Sequence, residues 1–374
     1  MQPEHISDVL PRALSGATKG TSIVPSNEVS TSDTNPSSPL KHRNPRSLKD
    51  LIEAFEERES YDNPDVVVPT KELKMNPEGY VEVPGQGAFV LNEWSQSQLS
   101  SRLGCSWSKY WENASGTQRA DEMNQRFARG MGSLRLRTRQ FFPGEDTDTP
   151  GAKAVLTALL TPSYTAVPDS AVATKVAVAL GRSDDVEVAR LSVTPMTTVF
   201  WLKLGDAYDK ADTHAVVGAV FGNLAVRNGS TGYCALSIQL ALMRLACLNG
   251  MCLPADSLVL RRAHRGLDLT DIDEKLKLGL ENVGPRLHQG TRALIASLKH
   301  RVPNIEEELT QVLHKARLPK RFLQPALAAY AREKHASAFG ISQALTLLAQ
   351  SVSAEDRFEL ERAAGNYLRQ FAPS

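Results

Sequence analysis

The run Val186-Glu-Val-Ala-Arg-Leu-Ser-Val193, then Thr194-Pro-Met196, then Thr197-Thr-Val-Phe-Trp-Leu-Lys-Leu204 sets the architecture. Apolar and polar residues alternate with period two up to Val193, Pro195 interrupts, and Val199, Phe200, Trp201 and Leu202 resume, which reads as two neighbouring strands. Downstream, His214 to Val226 is a third strand candidate and Asn228-Gly-Ser-Thr-Gly232 reads as a turn. Upstream, Ala154-Val-Leu156 with Leu159 and Leu160 reads as a buried strand, and Pro168 to Leu180 as a helix stopped by Gly181. Ala235 to Leu248 is apolar almost all round apart from Gln239 and Arg244 and ends at Asn249-Gly250, which reads as a helix buried against the sheet. The order strand, helix, three strands, helix predicts an α+β fold: an antiparallel sheet with helices packed on one face.

From Asp268 onward the pattern is helical, with breaks at Gly284-Pro285, Pro303, Pro319 and Gly340. Its final helix, roughly Ala354 to Phe371, alternates acids with arginines as a solvated face does. Residues 1–46 hold six prolines and eight serines without apolar periodicity and read as a disordered tail. Ser47 with Asp50 three positions later forms a capping-box start, and Leu48, Leu51, Ile52 and Phe55 recur at helical spacing, predicting a short amphipathic helix exposed enough for interactions. Residues 60–92 mix Pro, Asn and Gly with β-branched runs, the grammar of a hairpin or an extended arm. Gln98, Leu99, Arg102 and Leu103 before Gly104 mark one small helix, and Trp107, Tyr110 and Trp111 start a second. The expected organisation is therefore tail 1–46, helix and arm 47–92, α+β core 93–267 and helical region 268–374.

The chain has 374 residues, and 43 Lys+Arg against 42 Asp+Glu leave a formal charge of +1, so any electrostatic function must come from local clustering. Four irregularly spaced cysteines fit a reducing compartment, and neither a secretory leader nor a run of about 18 apolar residues is present, so the expectation is a cytoplasmic protein without a membrane span.

Motifs for chemistry fail one after another. Cys247, Cys252 and His264 lack the spacing of a structural zinc site. There is no G-x-S-x-G elbow, no G-x-x-x-x-G-K-[ST] and no G-x-G-x-x-G. No catalytic residue, metal or other cofactor is expected. Two basic clusters remain. Residues 119–139 hold six arginines against Asp121 and Glu122, and residues 286–334 hold ten Lys+Arg against four acids. Leu134 and Leu136 alternate with Arg135, Arg137 and Arg139, which in a strand gathers three guanidinium groups on one face. Guanidinium forks pair phosphate oxygens two at a time, and with Tyr164, Trp201 and Tyr208 for stacking the set suits single-stranded nucleic acid. Arg244, a charge within an apolar run, either meets a carboxylate in the core or reaches a surface groove.

Lys153-Ala-Val-Leu-Thr157 with Ser163-Tyr164 and Val167-Pro-Asp-Ser-Ala-Val172 resembles the R-A-V-L-S-x-x-Y…D-x-x-V signature of a phage- and plasmid-related family of unassigned function. Asn228-Gly-Ser230, Met243-Arg-Leu-Ala-Cys-Leu-Asn-Gly-Met251 and His264-Arg-Gly266 are similar to its later G-S…R-L-V-C-x-N-G-M…H-x-G blocks, and Gln98-Leu99 with Arg102-Leu-Gly104 and Tyr110 to an upstream element. The resemblance spans about residues 94–267; Lys153, Thr157 and Ser106-Trp-Ser108 depart from the pattern. It implies a mobile-element context and, by fold analogy, a likeness to phage single-strand annealing proteins of the RecT and Erf type. On that reading a homo-oligomer binds single-stranded DNA without sequence preference through Arg126, Arg129, Arg135, Arg137, Arg139, Lys153, Tyr164, Arg227, Arg244, His264 and Arg265. The alternative is a non-enzymatic particle or host-interaction protein that assembles through its tail and helical region.

Overall fold

The computed structural model of the chain describes residues 30–104, 113–130, 132–145, 151–181, 183–204, 220–244, 249–252, 258–267, 270–281, 283–333 and 336–372. In chain order its elements are β1 (Ser30–Asp33), α1 (Pro39–Arg43), α2 (Leu48–Glu59), β2 (Val66–Pro69), β3 (Lys74–Met75), β4 (Val81–Val83), β5 (Gly87–Leu91), α3 (Glu93–Leu103), α4 (Gly116–Arg129), β6 (Ser133–Arg139) and β7 (Ala152–Leu160). There follow α5 (Asp169–Leu180), β8 (Val188–Val193), β9 (Thr198–Lys203), β10 (Val220–Asn228), β11 (Leu236–Arg244), β12 (Asn249–Cys252), β13 (Leu258–Arg262), α6 (Thr270–Leu280), α7 (Val283–Lys299), α8 (Ile305–Lys315), α9 (Leu323–Arg332), α10 (Ala338–Ala349) and α11 (Ala354–Leu368). The fold is α+β with a helical C-terminal region, as the sequence predicts, and no helix among the described residues is long and apolar enough to cross a membrane.

The strands form two sheets, not one. The larger runs β1-β8-β9-β10-β11-β12 with β13 also on β11, and the smaller runs β2-β6-β7-β5-β4-β3. Among the described residues only β1 with β8 and β5 with β7 pair in parallel. Every strand of the smaller sheet lies between residues 66 and 160, so that sheet is an insertion in the larger unit between α2 and α5. The expected boundary near residue 92 therefore runs through it, since β5 and β7 are neighbours.

Period two explains the larger sheet. Leu191, Phe200, Leu202, Leu224, Val226, Leu236, Ile238, Leu240 and Leu242 point to one face, where Phe55 of α2 meets Phe200 at 5.8 Å between ring centroids and Val172 and Val176 of α5 join the same core. The opposite face carries Val199, Trp201, Ala225, Ala241 and Met243, against which Phe358 of α11 packs. The smaller sheet buries Leu134, Leu136, Phe89 and Leu156 against Leu99 and Leu103 of α3 and Met123 and Phe127 of α4.

Four expectations change. Residues 236–244 form strand β11 in place of a helix, because Ser237, Gln239, Ala241 and Met243 are the second face of a strand whose two sides are both covered. Residues 30–46, expected as tail, carry β1 and α1 with Leu40 buried, while residues 1–29 lie outside the described residues. Helix α2 has the expected capping box, yet Leu48, Leu51, Ala54 and Phe55 are buried, so it is a core element and not an exposed one. Gly340 lies inside α10 and breaks no helix, whereas the break expected at Gly284-Pro285 falls just before that pair, between α6 and α7, with Pro285 in the first turn of α7.

The neck of the insertion, where α2 ends and α5 begins, is polar. The Ser170 amide donates to Glu59 Oε1 at 3.0 Å and the Ser170 hydroxyl donates to Glu59 Oε2. Buried Asp169 accepts from Thr198 Oγ1 and Asn228 Nδ2, each at 2.7 Å, and Arg58 Nη1 lies 3.7 Å from it. Burial and the adjacent Asp169 carboxylate push the Glu59 carboxyl up to about 7.

Candidate binding site

The turn after β10 joins the two sheets. Its four consecutive carbonyls each accept from a side chain: Asn228 O from Thr197 Oγ1 at 3.0 Å, Gly229 O from Tyr164 Oη at 2.6 Å, Ser230 O from Arg137 Nη1 at 2.9 Å, and Thr231 O from Trp94 Nε1 at 2.9 Å and Gln98 Nε2 at 3.0 Å. Gly229 has no alternative, since a Cβ there would lie 2.4 Å from Cys234 O. The sequence blocks around Gln98, Tyr164, Asn228-Gly-Ser230 and His264 thus meet at one place. His264 stacks on Tyr164 with centroids 5.1 Å apart, is only 3% exposed, and among the described residues neither ring nitrogen has a hydrogen-bond partner. Burial drives its imidazole down to about 4 and raises the Tyr164 phenol.

These two shifted groups predict a compensated pH profile. His264 is neutral when folded but protonated in the unfolded chain below its ordinary value of 6.5, so it withdraws stability as pH falls from 6.5 towards 4. Glu59 stays protonated in the fold up to about 7 but ionises in the unfolded chain above 4.5, so it withdraws stability as pH rises from 4.5 to 7. Between 4.5 and 6.5 the two slopes, each about 1.4 kcal/mol per pH unit, oppose each other. Relative to the parent protein, Glu59→Gln should grow more stable with rising pH across this window and His264→Phe less stable, read as urea midpoints. Variants that track the parent at every pH would contradict this.

The strand face of arginines exists, but its cations are already engaged. Arg137 forms a fork on Asp65 at 3.1 and 3.2 Å, and Arg135 donates to Pro162 O at 2.7 Å with its other nitrogen 3.8 Å from Asp65. Arg139 forms a fork on Glu145, both bonds 2.7 Å, with its guanidinium 4.0 Å over the Phe142 ring. Arg126 reaches Glu122 at 2.7 Å and Leu103 O at 2.7 Å. Buried Arg227 pairs with Glu359 at 2.7 Å. Arg129, Lys153 and Arg265 are exposed, and Arg265 pairs through its backbone with Tyr164. Arg244 ends β11, a strand position instead of the expected helical one; its side chain, like those of Cys247 and Cys252, lies outside the described residues. Of the stacking candidates, Trp201 is fully buried, Tyr164 is occupied by His264, and Tyr208 lies outside the described residues.

Sequence reasoning missed the second face of the larger sheet. Arg190, Ser192, Asn223, Arg227, Ser237 and Gln239 alternate there with apolar residues, and α11 covers them with its acids. The expected solvated face of that helix is turned inward: Glu355 accepts from Thr194 Oγ1, Glu359 from Arg227, and Glu361 from Arg190 at 2.6 and 2.7 Å. Period-two polar residues between β8 and β11 were the available signal. A cavity of about 620 Å³ opens between this face and α11. Burial raises the Cys234 thiol on its wall, so that sulfur stays protonated and is not a poised nucleophile.

Comparison with protein families, with curated proteins and with solved structures finds no match for the chain.

Proposed function

We propose that this chain is a non-enzymatic interaction protein that docks or self-assembles through its helical C-terminal region, in the phage or plasmid setting that its sequence blocks resemble. The observation behind this reading is the engagement of the arginines: Arg126, Arg137, Arg139 and Arg227 each sit on a carboxylate, and Arg135 on a carbonyl beside one. A strand of phosphates would have to displace those partners, and each partly buried carboxylate left behind would carry a desolvation cost. The helical region differs. Arg292, Lys299, Arg301, Lys315, Arg317 and Lys320 are exposed there, and among the described residues no carboxylate holds them. They give that surface a charge preference for acidic partners.

Size-exclusion chromatography with light scattering, run with and without a single-stranded oligonucleotide, tests the reading. The expected result is a mass indifferent to DNA, with oligonucleotide anisotropy flat at moderate salt. The opposite result is tight binding whose affinity falls with a log-log slope near −0.7 per phosphate contacted. That would reinstate single-stranded DNA as the partner, through Arg129, Lys153, Arg265 and the helical cations.

A further inference from the structure

We propose that the cavity under α11 is a binding site for a small organic phosphate carrying a flat ring, a phosphomonoester of about mononucleotide size. The inference is independent of the docking reading. It rests on how the sheet register and the helix place charge around one half-open cavity.

The floor is a cross-strand row. Arg227 of β10 pairs with Ser237 of β11, and Ser237 pairs with Arg261 of β13, so all three stand side by side on the sheet face. Gln239, two residues along β11, points the same way. Helix α11 forms the roof with Phe358, Glu359, Arg362 and Asn366. About 620 Å³ is far more than a bare inorganic ion occupies and lies in the range of small-molecule sites, roughly 300–1,000 Å³.

Charge selects the ligand. Three guanidinium groups line the cavity against one carboxylate, Glu359, leaving two positive charges in excess. A phosphomonoester dianion matches that excess, whereas a carboxylate leaves half of it uncompensated. Glu359 already holds two of the cations, Arg227 at 2.7 Å and Arg362, and so occupies them as an internal anion. Arg261 is exposed, and among the described residues no carboxylate holds it.

Among the described residues two buried donors of lining residues, Arg227 Nε and Gln239 Nε2, have no hydrogen-bond partner, a costly arrangement that favours turning these side chains towards a ligand's acceptor. Both side chains are more than nine-tenths buried. The preference for a ring comes from Tyr233, which is 39% exposed on the cavity wall and braced edge-on by Trp94 at 5.4 Å. A braced aromatic beside a cationic floor can hold a flat ring at little cost in conformational freedom.

Calorimetric titration of the full chain with adenosine monophosphate, phenyl phosphate, adenosine and inorganic phosphate, at one ionic strength, tests this. At least one of the two phosphomonoesters should bind, with adenosine and inorganic phosphate each about tenfold weaker or worse. Arg261→Gln should weaken the phosphomonoester about tenfold while leaving the melting temperature unchanged, because Arg261 is exposed. Glu359→Gln should tighten it several-fold by removing the competing anion. No heat with either phosphomonoester, equal affinity for adenosine and its monophosphate, or an unaffected Arg261→Gln would each overturn the proposal.

Discussion

Glu361→Ala should cost about 3–5 kcal/mol of folding stability, the scale on which removing one partner of a buried ion pair leaves the other charge uncompensated. Glu361 is 1% exposed and Arg190 is 5% exposed at the side chain, and the pair is bidentate at 2.6 and 2.7 Å. Arg357 adds a third bond to Glu361 at 3.2 Å, and the Arg190 guanidinium lies 4.3 Å over the Trp201 ring, so Arg190 is packed against an indole with no second carboxylate holding it among the described residues. Loss of the carboxylate therefore strands a cation between an indole and a second arginine. The double replacement Arg190→Met with Glu361→Leu should recover most of the loss, since well-packed apolar groups substitute for such pairs without net cost. Urea denaturation with an unchanged slope measures both. A single variant that loses less than about 1 kcal/mol would mean that α11 is not seated on the sheet as described.

Asp169→Ala should cost about 3 kcal/mol and also flatten the pH response of Glu59. Its carboxylate accepts from Thr198 and Asn228 and faces Arg58, so truncation removes the acceptor of the buried Thr198 hydroxyl and leaves Asn228 Nδ2 with Val167 O alone. Asp169→Asn retains a single acceptor oxygen for those two donors, and about half of the loss should remain. The second readout separates this from generic damage. Asp169 is one of the causes that raise Glu59, so its removal moves the Glu59 carboxyl back towards its ordinary range and shrinks the stability change between pH 4.5 and 7. An Asp169→Ala protein that unfolds at the parent midpoint, or one that keeps the full Glu59 dependence, would contradict the account.

The parts of the fold legible in the chain are those where one face is apolar and the other is not. β6, β8 and β9, helix α5 with its Gly181 stop, and the capping box at Ser47 follow from local spacing. β11 was hidden because a strand covered on both sides loses its alternation in an apolar run, and its polar face is interrupted by Ala241 and Met243. The arginine cluster was legible as a strand face but not as an engaged one. Asp65 lies 72 residues before Arg137, and Glu361 lies 171 residues after Arg190, so a local charge count cannot see either pair. The cavity combines β10, β11 and β13 with a helix about a hundred residues later, and no spacing rule links them.

The insertion also sets a timetable for synthesis. A ribosome releases α2, with Leu48, Leu51 and Phe55 bare, well before it makes Phe200, and β1 some 160 residues before its partner Arg190. At about 5–20 residues per second that interval is on the order of ten seconds, during which the nested sheet can mature on its own strands while α2 has only α1 to sit against until α5 and the large sheet are made. Newborn chains should therefore need a holding chaperone at their leading end, and circularly permuting the gene to begin near residue 168 would remove that need by delivering the large sheet in one continuous stretch.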